Sequence, residues 1–169
     1  MGMLRGRRSG VLLGVVALAG AVSVGMASAE DGPSGTQPDS GTDAPKVATG
    51  AAVPGTPCTA SARACVDVGS RLTWLLEDGR IVHGPVAMRP GDAQDPTPKG
   101  VFAVQWKAEQ WTSRETYTQM PYSVFFAPGG VAFHQGAMDT PSAGCVKLVE
   151  AEAQRYFAAL QVGDEVQVY

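Results

Sequence analysis

Charge is scarce in this chain: 17% of its 169 residues are Asp, Glu, Lys or Arg, and 13 basic side chains face 16 acidic ones. A formal net charge of −3 offers no basic surplus to neutralise phosphates, which argues against nucleic acid as a partner. Histidine is rarer still, limited to His83 and His134. Neither stands in a cluster of Cys, Asp or Glu that would form a ligand set, so no metal and no cofactor are expected. There is no internal repeat and no Gly-rich phosphate loop. Gly (21) and Pro (12) are by contrast plentiful, which excludes a coiled coil and predicts one modest domain attached to an unstructured stretch.

The N-terminus carries an address. Arg5, Arg7 and Arg8 precede an uncharged run from Ser9 to Ala29, which ends in Ala27-Ser28-Ala29 before Glu30-Asp31. A basic start, an apolar middle and small residues at the end predict a secretory signal peptide over 1–29, so that the protein is exported to the cell envelope or beyond. The alternative is an uncleaved membrane anchor, since the run is long enough to span a bilayer of about 30 Å. Cleavage would leave 10 basic against 16 acidic residues. Residues 30–57 hold five Pro, five Gly, six Ser or Thr and no aromatic. Such a segment buries too little apolar surface to offset the entropy of ordering, and it reads as a linker with a root-mean-square span of roughly 30 Å.

From Cys58 to Tyr169 the composition changes to short alternating segments punctuated by glycine, enough for one core. Strands are expected at Arg71–Leu76 and Ile81–Met88, joined by an Asp78-Gly79 hairpin turn, and at Gly100–Trp106. Tyr122–Ala127 and Val131–His134 flank Pro128-Gly129-Gly130 as a second hairpin, and Asp164–Tyr169 forms a last strand. Ala153, Tyr156, Phe157 and Leu160 recur at i, i+3, i+4 and i+7, which predicts one amphipathic helix between Val149 and Gln161.

Three cysteines are an odd number for an exported protein. Cys58 and Cys65 bracket six residues, and in an oxidising compartment a local disulfide is the economical reading. Cys145 is then left free. It is either a buried small hydrophobe or a reactive thiol, and the rarity of free thiols outside the cell favours the second. Gly144 beside it permits close backbone approach, and the helix downstream is expected to favour the thiolate through its N-terminal amides. A nucleophilic Cys requires a base; His134, at the end of a strand eleven residues earlier, is the candidate, with a solvated strand-end imidazole as its plain alternative.

At these residues a family resemblance enters. Phe133-His134-Gln135-Gly136 followed by Ser142-Ala143-Gly144-Cys145-Val146-Lys147-Leu148 resembles the signature of the L,D-transpeptidase catalytic domain of YkuD type. Thr97-Pro98-Lys99-Gly100-Val101-Phe102 resembles a strand entry of that family, and Met120-Pro121-Tyr122-Ser123 another of its segments. The resemblance implies a mainly β sandwich over 58–169 with one helix after the cysteine. It also implies a peptidoglycan enzyme in which Cys145, served by His134, forms a thioester with a stem peptide and passes it to a neighbouring stem as a 3–3 cross-link, or to water. Gly144 and Cys145 amides would hold the oxyanion, with Ser142, Tyr122 and Lys147 positioning substrate. Carbapenem-type β-lactams would be covalent inhibitors. Two residues depart from the family pattern: Ala143 stands where a His is usual, and Lys147 where Arg or Asn is usual, which retains charge without a planar fork.

Two other readings compete. A sortase-like transpeptidase would use His83, Cys145 and Arg155, which occur in the required order. A cell-wall-binding domain of the same fold with weakened catalysis is the other, and Ala143 invites it.

Overall fold

A computed structural model describes residues 48 and 50–169. The signal-peptide reading of 1–29 and most of the linker reading of 30–57 lie outside the described residues. Among the described residues, nine strands and one helix follow in the order β1 (Ala64–Asp67), β2 (Leu72–Glu77), β3 (Arg80–Ala87), β4 (Gly100–Ala103), β5 (Trp106–Ala108), β6 (Ser123–Ala127), β7 (Val131–Gln135), β8 (Val146–Leu148), α1 (Glu150–Ala159) and β9 (Glu165–Val168). They form two sheets, ordered β3-β2-β1-β9-β4 and β5-β6-β7-β8.

Local chemistry accounts for the hairpins. Asp78 and Gly79 both take positive φ, 49° and 70°, the geometry of the two-residue turn whose twist matches its flanking strands. The turn between β6 and β7 relies on Gly129 and Gly130, at φ 80° and 75°.

The expected single strand Gly100–Trp106 is two strands in two sheets. Val104 donates its amide to Asp164 at 2.8 Å, beside β9, whereas the next amide, Gln105, reaches Phe125 of β6 at 2.8 Å. The chain crosses between sheets at that step. Phe102 and Val104 face the main core, while Trp106 lies on the opposite face of the second sheet, stacked on Phe125 with ring centroids 3.6 Å apart. Alternation within one strand would have placed all three side chains together; the sheet change separates them.

The main core lies between the sheets and α1. Val124, Phe126 and Phe133 from β6 and β7, Val146 and Leu148 from β8, and Val66, Leu75 and Val166 from the first sheet pack around Ala153, Tyr156 and Leu160. Tyr156 is fully buried, and its hydroxyl lies 3.1 Å from that of Thr73, which in turn donates to the Cys65 carbonyl at 2.7 Å. Burial pushes the Tyr156 phenol far up, so it remains neutral. Lys107 closes the far end of α1 by donating to the Leu160 carbonyl at 2.6 Å, with its ammonium over the Phe157 ring.

A second, smaller core sits on the outer face of the first sheet. There Val53, Ala62, Trp74 and Leu76 surround the bonded pair Cys58–Cys65, whose Cα atoms are 5.9 Å apart. This corrects the linker boundary, because residues 51–57 belong to the domain. Val53 is 2% exposed, its amide bonds the Cys58 carbonyl at 2.8 Å, and Ala51 accepts from Ala60 at 2.9 Å. Pro and Gly content alone conceals one buried Val held by main-chain bonds. Val53→Ala is expected to destabilise the domain by about 1–2.5 kcal/mol through lost burial and the space left behind. Urea unfolding under non-reducing conditions tests this, and an unchanged midpoint would show that the segment contributes nothing.

Candidate active site

β7 and β8 run parallel in the register Phe133↔Val146, His134↔Lys147 and Gln135↔Leu148. Because side chains alternate, Phe133, Val146 and Leu148 point into the core, and Ala132, His134, Cys145 and Lys147 share the outer face. Cys145 there packs with Ala132, Phe125 and Met120. One cavity of about 380 Å³ is lined by both His134 and Cys145.

His134 is 4% exposed, and its Nδ1 lies 2.7 Å from the carbonyl oxygen of Gln135. Only a protonated Nδ1 can bond a carbonyl, which fixes the tautomer of the neutral ring and leaves the Nε2 lone pair as a proton acceptor. Burial pushes the imidazole below its usual range; the Gln135 carbonyl opposes this, and the nearby Lys147 charge adds to it. His134 is therefore neutral at neutral pH.

The thiol is neutral too. Burial pushes Cys145 up, more than offsetting the hydrogen bond from the Ala132 backbone and the Lys147 charge, which act downwards. Its Sγ lies 3.7 Å from the Gly130 carbonyl, an acceptor suited to S–H. The expected helix-stabilised thiolate is thus corrected. β8 intervenes between Cys145 and α1, whose first turn carries Glu150 and Glu152, so no helix N-terminus adjoins the sulfur. The sulfur can act as a nucleophile only once that proton is removed.

The loop before Cys145 is held from within. The Ser142 hydroxyl donates to the Cys145 carbonyl at 2.5 Å, which commits it to bracing the turn although the residue also lines the cavity. Gly144 sits at φ 88°, in the left-handed region. The amides of Gly144 and Cys145 donate to no acceptor among the described residues.

Lys147 is buried, and its ammonium donates to Thr140 Oγ1 at 3.0 Å and the Pro141 carbonyl at 3.3 Å. Burial and the Arg89 charge pull its pKa down, while Asp139 and Cys145 act upward. Its stem crosses the position that a side chain on Gly136 would fill, since a Cβ there would lie 2.5 Å from Lys147 Cδ. The glycine of His134-Gln135-Gly136 is thereby explained by space.

Tyr122 is not at the site. Its hydroxyl accepts from Gln154 on α1 at 3.1 Å and its ring meets Phe157 edge-on, which places it on the helix side of the sheet. Ala143 does line the cavity. The sequence reading missed the opposite wall, formed by Ser113, Glu115, Thr116, Thr118 and Gln119. An antiparallel bridge between Thr112 and Gln119 shapes that segment, and its one sequence signal is a polar run between Trp111 and Met120. The sortase-like grouping is not assembled. His83 Nε2 lies 2.6 Å from Glu152 Oε2 of α1, and Arg155, more than half exposed, is on that helix; neither lines the Cys145 cavity.

The YkuD family model, L,D-transpeptidase catalytic domain, matches residues 61–168. No curated protein matches the chain. Among solved structures, an L,D-transpeptidase from Stackebrandtia nassauensis is similar at 28% identity and a TM-score of 0.60, over 63% of this chain and 54% of that one. One from Xylanimonas cellulosilytica shares the fold at 24% identity and TM-score 0.61, over 68% and 63%. An L,D-transpeptidase in complex with imipenem shares it at 20% identity and TM-score 0.59, over 66% and 60%. This chain thus spans less than two thirds of the length of each.

Iodoacetamide without reductant is expected to label Cys145 alone, since Cys58 and Cys65 are bonded. The labelling rate should rise with a midpoint above the usual thiol value of about 8.5. Lys147→Met should move that midpoint higher, because the ammonium favours the thiolate. Peptide mapping across pH checks both; a midpoint below 8 would refute the upward push of burial on the thiol.

Proposed function

Because the chain belongs to the L,D-transpeptidase catalytic domain family, we propose that it is a peptidoglycan L,D-transpeptidase acting as a cysteine acyltransferase, with Cys145 as nucleophile and His134 as base. The observation that carries this reading is the cavity shared by a buried thiol and an imidazole whose Nδ1 is committed to Gln135, which leaves Nε2 for the proton. In the first half-reaction His134 takes the Cys145 proton. The sulfur then attacks the carbonyl between the third residue of a tetrapeptide stem, a diamino acid, and the terminal D-alanine. The oxyanion is held by the Gly144 and Cys145 amides. Collapse expels D-alanine, whose amine takes the proton from His134, and a thioester remains. In the second half, the side-chain amine of a neighbouring stem gives a proton to His134, attacks the thioester and returns the thiol. A 3–3 cross-link results. Water in place of that amine makes the same site an L,D-carboxypeptidase.

Neutral partners suit this sequence of steps. An imidazole held below its usual pKa is unprotonated, and so able to accept a proton, at neutral pH, and a buried thiol gives up its proton only as it attacks. The complex of a similar L,D-transpeptidase with imipenem supports a carbapenem as covalent ligand here. Export, by a cleaved signal or with an N-terminal anchor, follows from a peptidoglycan substrate.

Wild-type protein is expected to gain the mass of imipenem and to release D-alanine from a tetrapeptide, and Cys145→Ala to do neither while remaining folded by circular dichroism. D-alanine release by the folded variant rejects the mechanism, and a wild type that binds peptidoglycan without turnover selects the cell-wall-binding reading. His134→Ala should slow acylation by about 10²–10⁴-fold; His83→Ala should leave it unchanged.

The pH profile supplies a further test. Acylation should fall in acid with a midpoint below about 6.5, the usual histidine value, because the folded imidazole resists protonation. Linkage gives stability the same sign: the unfolded chain binds this proton first, so the contribution of His134 is present above about 6.5 and fades as pH falls toward the lower folded value. In His134→Ala the acid limb should disappear, and the remaining rate should climb with the ionisation of Cys145. An acid limb unmoved in that variant assigns the base elsewhere.

A further inference from the structure

We infer that Thr97 is a positioning residue for acyl transfer, whose hydroxyl holds the Gly91 amide and so keeps the Gly144 and Cys145 amides out of the strand ladder and available to an oxyanion. The inference rests on the reading of Cys145 as an acylated nucleophile.

Beyond β8 the second sheet continues for one residue pair. Arg89 and Lys147 exchange both main-chain bonds, each at 2.9 Å. Antiparallel register makes Gly91 and Cys145 the next pair of this kind. That pair does not form. The Gly91 amide donates instead to Thr97 Oγ1 at 3.0 Å, and the Cys145 carbonyl accepts from the Ser142 hydroxyl. Ser142 bonds the Pro90 carbonyl through its amide at 3.2 Å, and the chain turns at Gly144 with φ 88°.

The two loops touch through glycine. A Cβ on Gly91 would lie 3.0 Å from both N and Cα of Gly144 and 1.9 Å from the Asp95 carbonyl oxygen. Residues 91–97 are therefore a buttress pressed on the backbone that bears the oxyanion donors, and the Thr97 hydroxyl closes it. Thr97 is 3% exposed, so water does not readily replace that hydroxyl. Without it, the Gly91 amide is left without an acceptor, and register points it to the Cys145 carbonyl. Taking that carbonyl would draw residues 144 and 145 into the ladder and turn their amides from the reacting carbonyl. The thiol, on the outer face next to Ala132, would be little affected.

Two reactions of the same sulfur separate this role from a general structural one. Acylation by imipenem develops an oxyanion and requires the two amides, whereas alkylation by iodoacetamide displaces iodide at a saturated carbon and does not. In the full chain, Thr97→Val is expected to slow acylation by about 10- to 100-fold, less than the about 10²–10³-fold of deleting a donor outright. Its alkylation rate should stay within about twofold of wild type. Thr97→Ser, which keeps the hydroxyl, should restore acylation to within about threefold, and Gly91→Ala should reproduce the valine pattern. The inference is overturned if folded Thr97→Val shows both rates unchanged, or both reduced by one factor. If Thr97→Val loses its near-ultraviolet circular dichroism, Thr97→Ala, which removes the hydroxyl without adding bulk, decides by the same criteria. A wild type that is alkylated but never acylated overturns the acyl-transfer reading and this inference with it, a failure visible before any variant is made.

Discussion

The parallel pairing of β7 with β8, in the register Phe133↔Val146, is the constraint on which both the core and the site depend. A shift of one residue would exchange the faces, sending Cys145 and Lys147 into the core and Val146 and Leu148 into the cavity. The core resists that exchange. Phe133 packs on Phe126 and Tyr156, with ring centroids 4.9 and 5.1 Å away, and Val146 and Leu148 are fully buried beside them. Burial of these side chains, at about 1.5–3 kcal/mol each, thus fixes which face carries the chemistry. Helix α1 reinforces the register from the core side through Ala153 and Tyr156.

Burial also decides the protonation state of the outer face. Moving a thiolate and an imidazolium out of water is costly, and one added positive charge from Lys147 does not offset it for the sulfur. The resting pair is therefore thiol and imidazole, held ready by neutral contacts: Gly130 and Ala132 for the sulfur, and Gln135 for the ring. In the proposed reaction, charge would separate only as a substrate carbonyl arrives, where fixed amides would take the developing oxyanion without reorganisation.

The two departures from the family pattern differ in kind. Lys147 is tied to Thr140 and Pro141, so its ammonium braces the loop that forms one wall of the cavity, and only its remaining donor capacity can face a substrate. Ala143 is exposed in that wall and contributes no polar group. The His134 ring is independent of Ala143, because it is oriented from its own strand by the Gln135 carbonyl.

What the sequence determined alone is local. The Asp78-Gly79 turn, the Gly129-Gly130 turn, the helix from its 3.6-residue period and the short-range Cys58–Cys65 bond each depend on residues close together in the chain. Spacing and motif also brought His134 and Cys145 to notice. Tertiary structure decided what local signals do not encode. β1 and β8, of four and three residues, are too short to show a period and exist through their partners. The strand break after Val104 arises because two different neighbours, Asp164 and Phe125, take successive amides. Tyr122 was assigned to the site by motif, but packing against α1 puts it on the other face. The thiol pKa, the hold of Ser142 on the Cys145 carbonyl and the wall at 113–119 share one cause: burial and register are set by segments far apart in the chain, and no window of sequence contains both partners.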